Sequence, residues 1–297
     1  MGRVYRTKTY NIPEAGRTAK GTPVVNIIEK SPEEKISEII PVKEFSDNEY
    51  LVMVTKNGII KKTPASEYES IRKSGKIAIT LKEGDELISI FKTTGKRQHF
   101  PCYKNGMAIC FNENDARAVG RTASGVKAID LADGDYVVGA EPVREDSKVL
   151  LVTDGGYGKC TDLTSFRIQH RGGKGLKAYK ITEKTGNIIG ISMVNDSEEL
   201  IMVTSEGVVI RIRIKDIATT TGRITQGVRL INLDDGVTVV SMDKIQLKMQ
   251  LKKNQKKTTQ KLLLKQLKNK MVKSPKEIIF RAFFYSGNIV LTEFPKG

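Results

Sequence analysis

At Gln169-His170-Arg171-Gly172-Gly173-Lys174-Gly175 the chain sets three glycines and two fixed cations within seven residues, then runs on through Leu176-Lys177-Ala178-Tyr179-Lys180. Glycines let a backbone approach a ligand closely and bare its N–H groups. Arg and Lys beside such a backbone suit a phosphate. No Ser or Thr follows Lys174 and no G-x-x-x-x-G-K-[ST] frame exists, which argues against a nucleotide P-loop. Taken alone, the stretch reads equally well as a tight, solvated turn between two strands. Its weaker copies along the chain shift that balance.

The unit recurs as Arg17-Thr18-Ala19-Lys20-Gly21, Arg72-Lys73-Ser74-Gly75-Lys76, Arg121-Thr122-Ala123-Ser124-Gly125, Arg171-Gly172-Gly173-Lys174-Gly175 and Arg223-Ile224-Thr225-Gln226-Gly227, four of the five being Arg-x-x-x-Gly. Their glycines step by 54, 50, 50 and 52, and each unit leads into a strand of alternating character. Upstream of four of them lies an apolar run broken by a turn. The turn glycines 58, 106, 156 and 207 step by 48, 50 and 51. Lys56-Asn57-Gly58 and Lys104-Asn105-Gly106 carry the Asn-Gly signal of a β-hairpin. A third register is a strand led by Gly84, Gly134, Gly186 or Gly236.

Three registers agree on a period near 50 residues with about four strands in each. Helical periodicity is weak, so the expectation is all-β: a β-propeller or β-pinwheel of five to six four-stranded blades. Radial repetition leaves few free sheet edges. A sandwich is the alternative, but it needs no fixed register. The blades fall at 1–41, 42–92, 93–143, 144–194 and 195–245, and the first lacks its opening strand. At 96–103 the text Lys-Arg-Gln-His-Phe-Pro-Cys-Tyr stands where an apolar strand is due, and Pro101 is expected to interrupt a ladder.

The formal net charge is +16, unevenly placed. Residues 1–245 hold 37 Lys and Arg against 32 Asp and Glu, whereas 246–277 hold 11 Lys against one Glu. A basic chain favours a polyanionic partner such as nucleic acid or an acidic membrane. The lysine-rich segment 246–277 is expected to be disordered or helical. The apolar segment 278–297 reads as a hairpin around Ser286-Gly287-Asn288, a source for a ring-closing strand. No apolar run approaches the ~18 residues of a membrane span and no signal peptide opens the chain. Cys102, Cys110 and Cys160 are widely spaced without a C-x-x-C, and the only histidines are His99 and His170. Neither a zinc site nor a histidine-based catalytic site is signalled. Trp is absent and aromatics are few, which speaks against base stacking as the main binding mode.

Several further motifs fall in one order: Gly2-Arg3-Val4-Tyr5, Ile12-Pro13-Glu14-Ala15-Gly16-Arg17, Lys20-Gly21-Thr22-Pro23-Val24-Val25-Asn26, Gly75-Lys76-Ile77-Ala78-Ile79 and Gly84-Asp85-Glu86-Leu87-Ile88. With them the chain resembles, over residues 1–245, the C-terminal domain of the DNA gyrase A protein, of the type IIA topoisomerases. That family folds as a β-pinwheel, a propeller with strands exchanged between neighbouring blades. Gln169–Gly175 is similar to its gyrase box, of Q-R-R-G-G-K-G type, with His170 at the second position. In the family the box lies in the first blade, ahead of the match to Gly2-Arg3-Val4. By that order this chain starts in the second blade and carries its box-like loop in the fifth. Gyrase A chains often end in an acidic tail. Acidic codons read one base out of frame yield Lys and Met, so 246–297, and equally 96–103, read as candidate frame-shifted text.

The resemblance implies sequence-nonspecific wrapping of double-stranded DNA around the rim, in support of ATP-dependent negative supercoiling. One cationic turn per blade supplies evenly spaced phosphate clamps, which position DNA without reading bases. The candidate DNA-binding residues are Gln169, His170, Arg171, Gly172, Gly173, Lys174, Gly175 and Lys177, with Arg17, Lys20, Arg72, Lys73, Lys76, Arg121, Lys127, Arg223 and Arg229. No catalytic residue or metal ligand is expected in this chain, and no cofactor. ATP and Mg would be bound elsewhere in the holoenzyme. The implied partners are the catalytic N-terminal part of gyrase A and the gyrase B protein, with no membrane, in the bacterial cytoplasm at the nucleoid. The alternatives are the equivalent domain of the topoisomerase IV C protein and a protein-binding propeller scaffold.

Overall fold

Each apolar run of the repeat forms the first strand of an antiparallel hairpin. Tyr50–Thr55 pairs with Ile59–Pro64, Lys148–Thr153 with Tyr157–Asp162, and Glu198–Thr204 with Val209–Arg213. The turns are built alike, since the N–H of Gly58, Gly106, Gly156 and Gly207 donates to the carbonyl of Thr55, Tyr103, Thr153 and Thr204. The protein is represented by a computed structural model that describes residues 2–16, 18–31, 34, 36–246, 281–285 and 288–292. No α-helix occurs among the described residues.

On its other side each first strand takes the Gly-led strand of its own blade: Leu87–Thr93, Val137–Pro142, Ile188–Val194 or Val239–Gln246. These four inner strands, with Glu38 and Arg144, line a cavity of about 550 Å³. The outermost strand comes from the next blade. Lys76–Ile79 pairs with Gly2–Val4, Val126–Lys127 with Ile59–Ile60, Leu176–Lys177 with Met107–Ala108, and Val228–Arg229 with Tyr157–Gly158. The pairing register is constant. In the last three cases the residue after each unit glycine faces the second residue after each turn glycine. The fold is therefore a β-propeller whose blades trade their rim strands, as the sequence predicts.

Neighbouring sheets pack face to face over buried apolar cores. Val52, Val54 and Ile60 meet Tyr103, Ile109, Phe111 and Ile129 between the second and third blades. Phe100, Cys102 and Ala108 meet Val149, Leu151 and Met193 between the next two. The first blade contributes Gly2–Val4 as its only strand among the described residues. At the other end Val209–Arg213 carries no rim strand among the described residues, and its exposure alternates, with Ile210 and Ile212 half-buried.

The stretch at 96–103 departs from expectation. Gln98–Tyr103 is a strand, paired with Val137–Pro142 through Ala140↔Pro101 and Gly139↔Cys102. Burial drives it, because Phe100 and Cys102 are fully inaccessible and Tyr103 nearly so. Pro101 does break the ladder, but in the partner. The second hairpin strand is split into Met107–Ala108 and Cys110–Asn112, and the Ile109 N–H donates to the Pro101 carbonyl at 3.1 Å.

The chain divides into two units, Met1–Gln246 and Leu247–Gly297. In the second, Arg281–Tyr285 pairs with Asn288–Thr292 from Arg281↔Thr292 to Tyr285↔Asn288. The inner strand of the fifth blade runs to Gln246, the first residue of the segment expected at 246–277 to be disordered or helical, and the rest of that segment lies outside the described residues.

Candidate nucleic-acid interface

Strand exchange carries the units ending at Gly75, Gly125, Gly175 and Gly227 to the rim. In the box-like loop Ile168–Gln169 runs parallel to Cys110–Phe111, and Leu176–Lys177 antiparallel to Met107–Ala108. The turn between them thus lies over the outer edge of the third blade. Gly175 has φ +74°, and a Cβ there would stand 2.4 Å from the Ala108 carbonyl oxygen. Only glycine fits this approach. Successive turns also touch: the Asp130 N–H donates to the Gly173 carbonyl at 3.0 Å and the Lys180 N–H to the Thr225 carbonyl at 3.1 Å.

The unit arginines point along the rim rather than away from it. Arg121 Nη1 donates to the Ile77 carbonyl at 2.9 Å, Arg171 Nη1 to the Lys127 carbonyl at 2.9 Å, and Arg223 Nη1 to the Lys177 carbonyl at 2.8 Å. Each acceptor lies two residues past the glycine of the preceding unit. Arg171 Nε also donates to the Asp115 carbonyl at 2.7 Å. All three side chains are half-buried, and Arg72, whose counterpart would lie in the first blade, is exposed.

The lysines stand outward. Lys20, Lys73, Lys127, Lys174 and Lys177 are exposed and Lys76 is half-buried. Lys127 pairs with Asp130, whose carboxyl that bond holds below its usual range. Lys174 and Lys177 have no ion pair among the described residues. Arg229 is exposed and donates to Tyr157 Oη at 2.9 and 3.1 Å, its guanidinium 5.5 Å from that ring centre. His170 is almost fully exposed, with Nδ1 3.5 Å from Asp115 Oδ2. Gln169 keeps a buried Nε2 without a partner, and Gly172 donates to the Ala128 carbonyl at 2.6 Å. Arg17 lies outside the described residues.

Four further cations were not singled out from the sequence. Arg117 and Arg167 are exposed, each four residues before a unit arginine, a spacing the aligned repeats already display. Lys61 and Lys159 are buried, each three residues past a turn glycine. Lys61 Nζ donates to the carbonyls of Ala78 and Arg121. Lys159 Nζ donates to the Arg223 carbonyl at 2.6 Å and to Thr225 Oγ1 at 3.0 Å. Burial, then the neighbouring Arg121 or Arg223 charge, pushes both ammonium groups down to about 8. Strand alternation does not foretell a lysine inside, because hydrophobic patterning assigns such a position to Ile, as at Ile109 and Ile210.

No cluster of three or more His, Cys, Asp or Glu suited to a metal occurs among the described residues. No helix among them is long and apolar enough to cross a membrane. What the rim offers is a regular display of cations on a curved edge.

Blades that trade rim strands, with a cationic Gly-bearing turn at each trade, define a propeller of the pinwheel class. The sequence model of one family, DNA gyrase C-terminal domain, beta-propeller, matches residues 2–43, 49–94, 104–144, 147–195 and 198–246, and the chain belongs to that family. The DNA gyrase A protein of Staphylococcus epidermidis (strain ATCC 12228 / FDA PCI 1200) is 45% identical over 247 residues, covering 82% of this chain and 28% of that protein. The DNA gyrase A protein of Ureaplasma parvum serovar 3 is 44% identical over 242 residues, covering 82% and 29%. The chain thus spans just over a quarter of the length of these relatives. Among solved structures, a DNA gyrase A C-terminal domain superposes with a TM-score of 0.71 at 25% identity, over 82% of this chain and 79% of that one. The C-terminal domain of a DNA topoisomerase IV gives 0.72 at 29% identity, over 76% and 71%.

Proposed function

We propose that this chain binds double-stranded DNA along its rim without regard to sequence and bends it, as the non-catalytic wrapping part of a DNA gyrase. The observation that carries this reading is the recurrence, blade after blade, of one outward cationic turn in one register. Such turns meet phosphates at regular intervals, and phosphate contacts fix DNA position without reading bases. Bending stiff duplex costs several kcal/mol over a site of ~20–30 bp, which the added contacts must offset. A single turn cannot do so, whereas a curved row of them can. The outward cations are Lys73, Lys127, Lys174, Lys177 and Arg229, with Lys20, Lys76 and Arg72 on the first two units. The box residues Gln169, His170, Gly172, Gly173 and Gly175 shape the turn that presents Lys174.

In that role the chain works with the catalytic N-terminal part of gyrase A and with the gyrase B protein, which hold the strand-cleaving and ATP- and Mg-dependent chemistry. The site of action is the bacterial nucleoid. The test is affinity for random duplexes of roughly 20 bp and 150 bp across a salt series, with the chain intact and ending at Gln246. A preference for the long duplex that survives loss of 247–297 supports wrapping by the blades. Length-independent binding that disappears with 247–297 contradicts it.

A further inference from the structure

We propose that Arg121, Arg171 and Arg223 are positioning residues that fix the spacing of successive rim turns, while the phosphates are met by the lysines and by Arg229 that those turns present. The inference rests on the DNA-binding reading above and divides its cationic rim into two jobs.

The first ground is register. Three arginines in three blades reach the same acceptor, the carbonyl two residues past the preceding unit glycine, at 2.8 to 2.9 Å. A side chain recruited for phosphate has no reason to aim at its neighbour's backbone every time. The second ground is that the acceptor residue is itself cationic in the next units: Lys127 offers its carbonyl to Arg171, and Lys177 offers its carbonyl to Arg223. Arg171 and Arg223 therefore grip the backbone directly beneath an exposed cation and tie it to the following turn, while Arg121 makes the same bond beneath Ile77. The third ground lies at the other end of the same residues. The carbonyls of Arg121 and Arg223 accept from the buried ammonium groups of Lys61 and Lys159. For Arg171, where Ile109 replaces the lysine, the guanidinium itself makes the second bond, from Nε to the Asp115 carbonyl. An arginine held at two points by the preceding blade sets where its turn sits. A planar fork suits this task, because it supplies two aimed donors where an ammonium supplies a point charge.

The division has a distinct experimental signature. Each phosphate contact contributes about 0.9 to the slope of log affinity against log salt on duplex DNA. The full chain is compared with Arg171→Lys, Arg171→Ala and Lys177→Ala on duplexes of roughly 20 bp and 150 bp, with thermal melting to confirm folding. Lys177→Ala is expected to flatten the slope on the short duplex by about 0.9. Arg171→Lys is expected to keep the short-duplex slope while the preference for the long duplex falls at least roughly fivefold, because misaligned turns no longer follow one bend. Amide exchange at Gly172, which donates to Ala128, should quicken in the same variant. If Arg171→Ala unfolds, Arg171→Lys alone decides. Arg171→Lys with an unchanged long-duplex preference overturns the inference, as does a folded Arg171→Ala whose slope flattens by about 0.9. A parent chain without salt-sensitive binding removes the function reading itself, and is recognised before any variant is measured.

Discussion

His99 is a neutral imidazole sealed between Phe91 and Phe111, with ring centres 5.2 and 5.9 Å away and neither nitrogen hydrogen-bonded. Burial, and then the charge of Lys62, pushes its pKa down to about 3 from 6.5. Between those values the unfolded state binds a proton that the folded state refuses, so stability falls as pH drops through this window. The matching position one blade on is Val149, fully buried. His99→Val should therefore raise the melting temperature, and raise it more at pH 4.5 than at pH 7.5, where both states of the parent are neutral at this site. A melting-temperature gain that is the same at both pH values would refute this account of His99. The arginines show how far single residues can be read from sequence. Their charge and spacing are plain in the text, but their aim is not. Whether a guanidinium faces solvent or a carbonyl depends on where the next blade's strand lies, and that is a tertiary fact.

The exchanged strand with its turn is the element on which the rim depends. Gly175 combines φ +74° with a backbone so close that an added methyl would stand 2.4 Å from the Ala108 oxygen. Gly175→Ala should cost about 1–3 kcal/mol from the left-handed backbone alone, and more from the clash. Denaturant unfolding of the variant checks it, and a loss below ~0.5 kcal/mol would contradict the close approach, being no larger than an ordinary surface change. Hairpins and inner strands were legible in the sequence because their apolar runs, turn residues and lengths recur at a fixed period. Two-residue rim strands such as Val126–Lys127 and Leu176–Lys177 are too short to carry a pattern, and became visible only as text following each unit glycine. Gln98–Tyr103 went unread as a strand because Pro101 and His99 are poor strand residues. Packing of Phe100, Cys102 and Tyr103 overrides that local preference. The family match skips 95–103, so the same stretch is atypical by that measure too.

At the scale of the whole molecule the repeat does what no single blade can. Four blades leave one sheet edge open and the next blade closes it, so the turns are spaced by the fold rather than by the loops themselves. The charge excess of the chain lies chiefly outside the described blades, whose residues 1–245 are nearly balanced in acids and bases. Position of cations on the rim, rather than total charge, is then what the proposed wrapping would use. The most direct test is topological. A nicked circular plasmid is saturated with the chain ending at Gln246, sealed with DNA ligase, stripped of protein and resolved on a gel. Wrapping around the rim predicts a linking-number shift that grows with bound protein and is lost in high salt. An unchanged topoisomer distribution at saturation would contradict wrapping of one hand around the rim, because duplex wound in that way cannot be sealed without recording its path, whereas a planar bend leaves linking number unaltered.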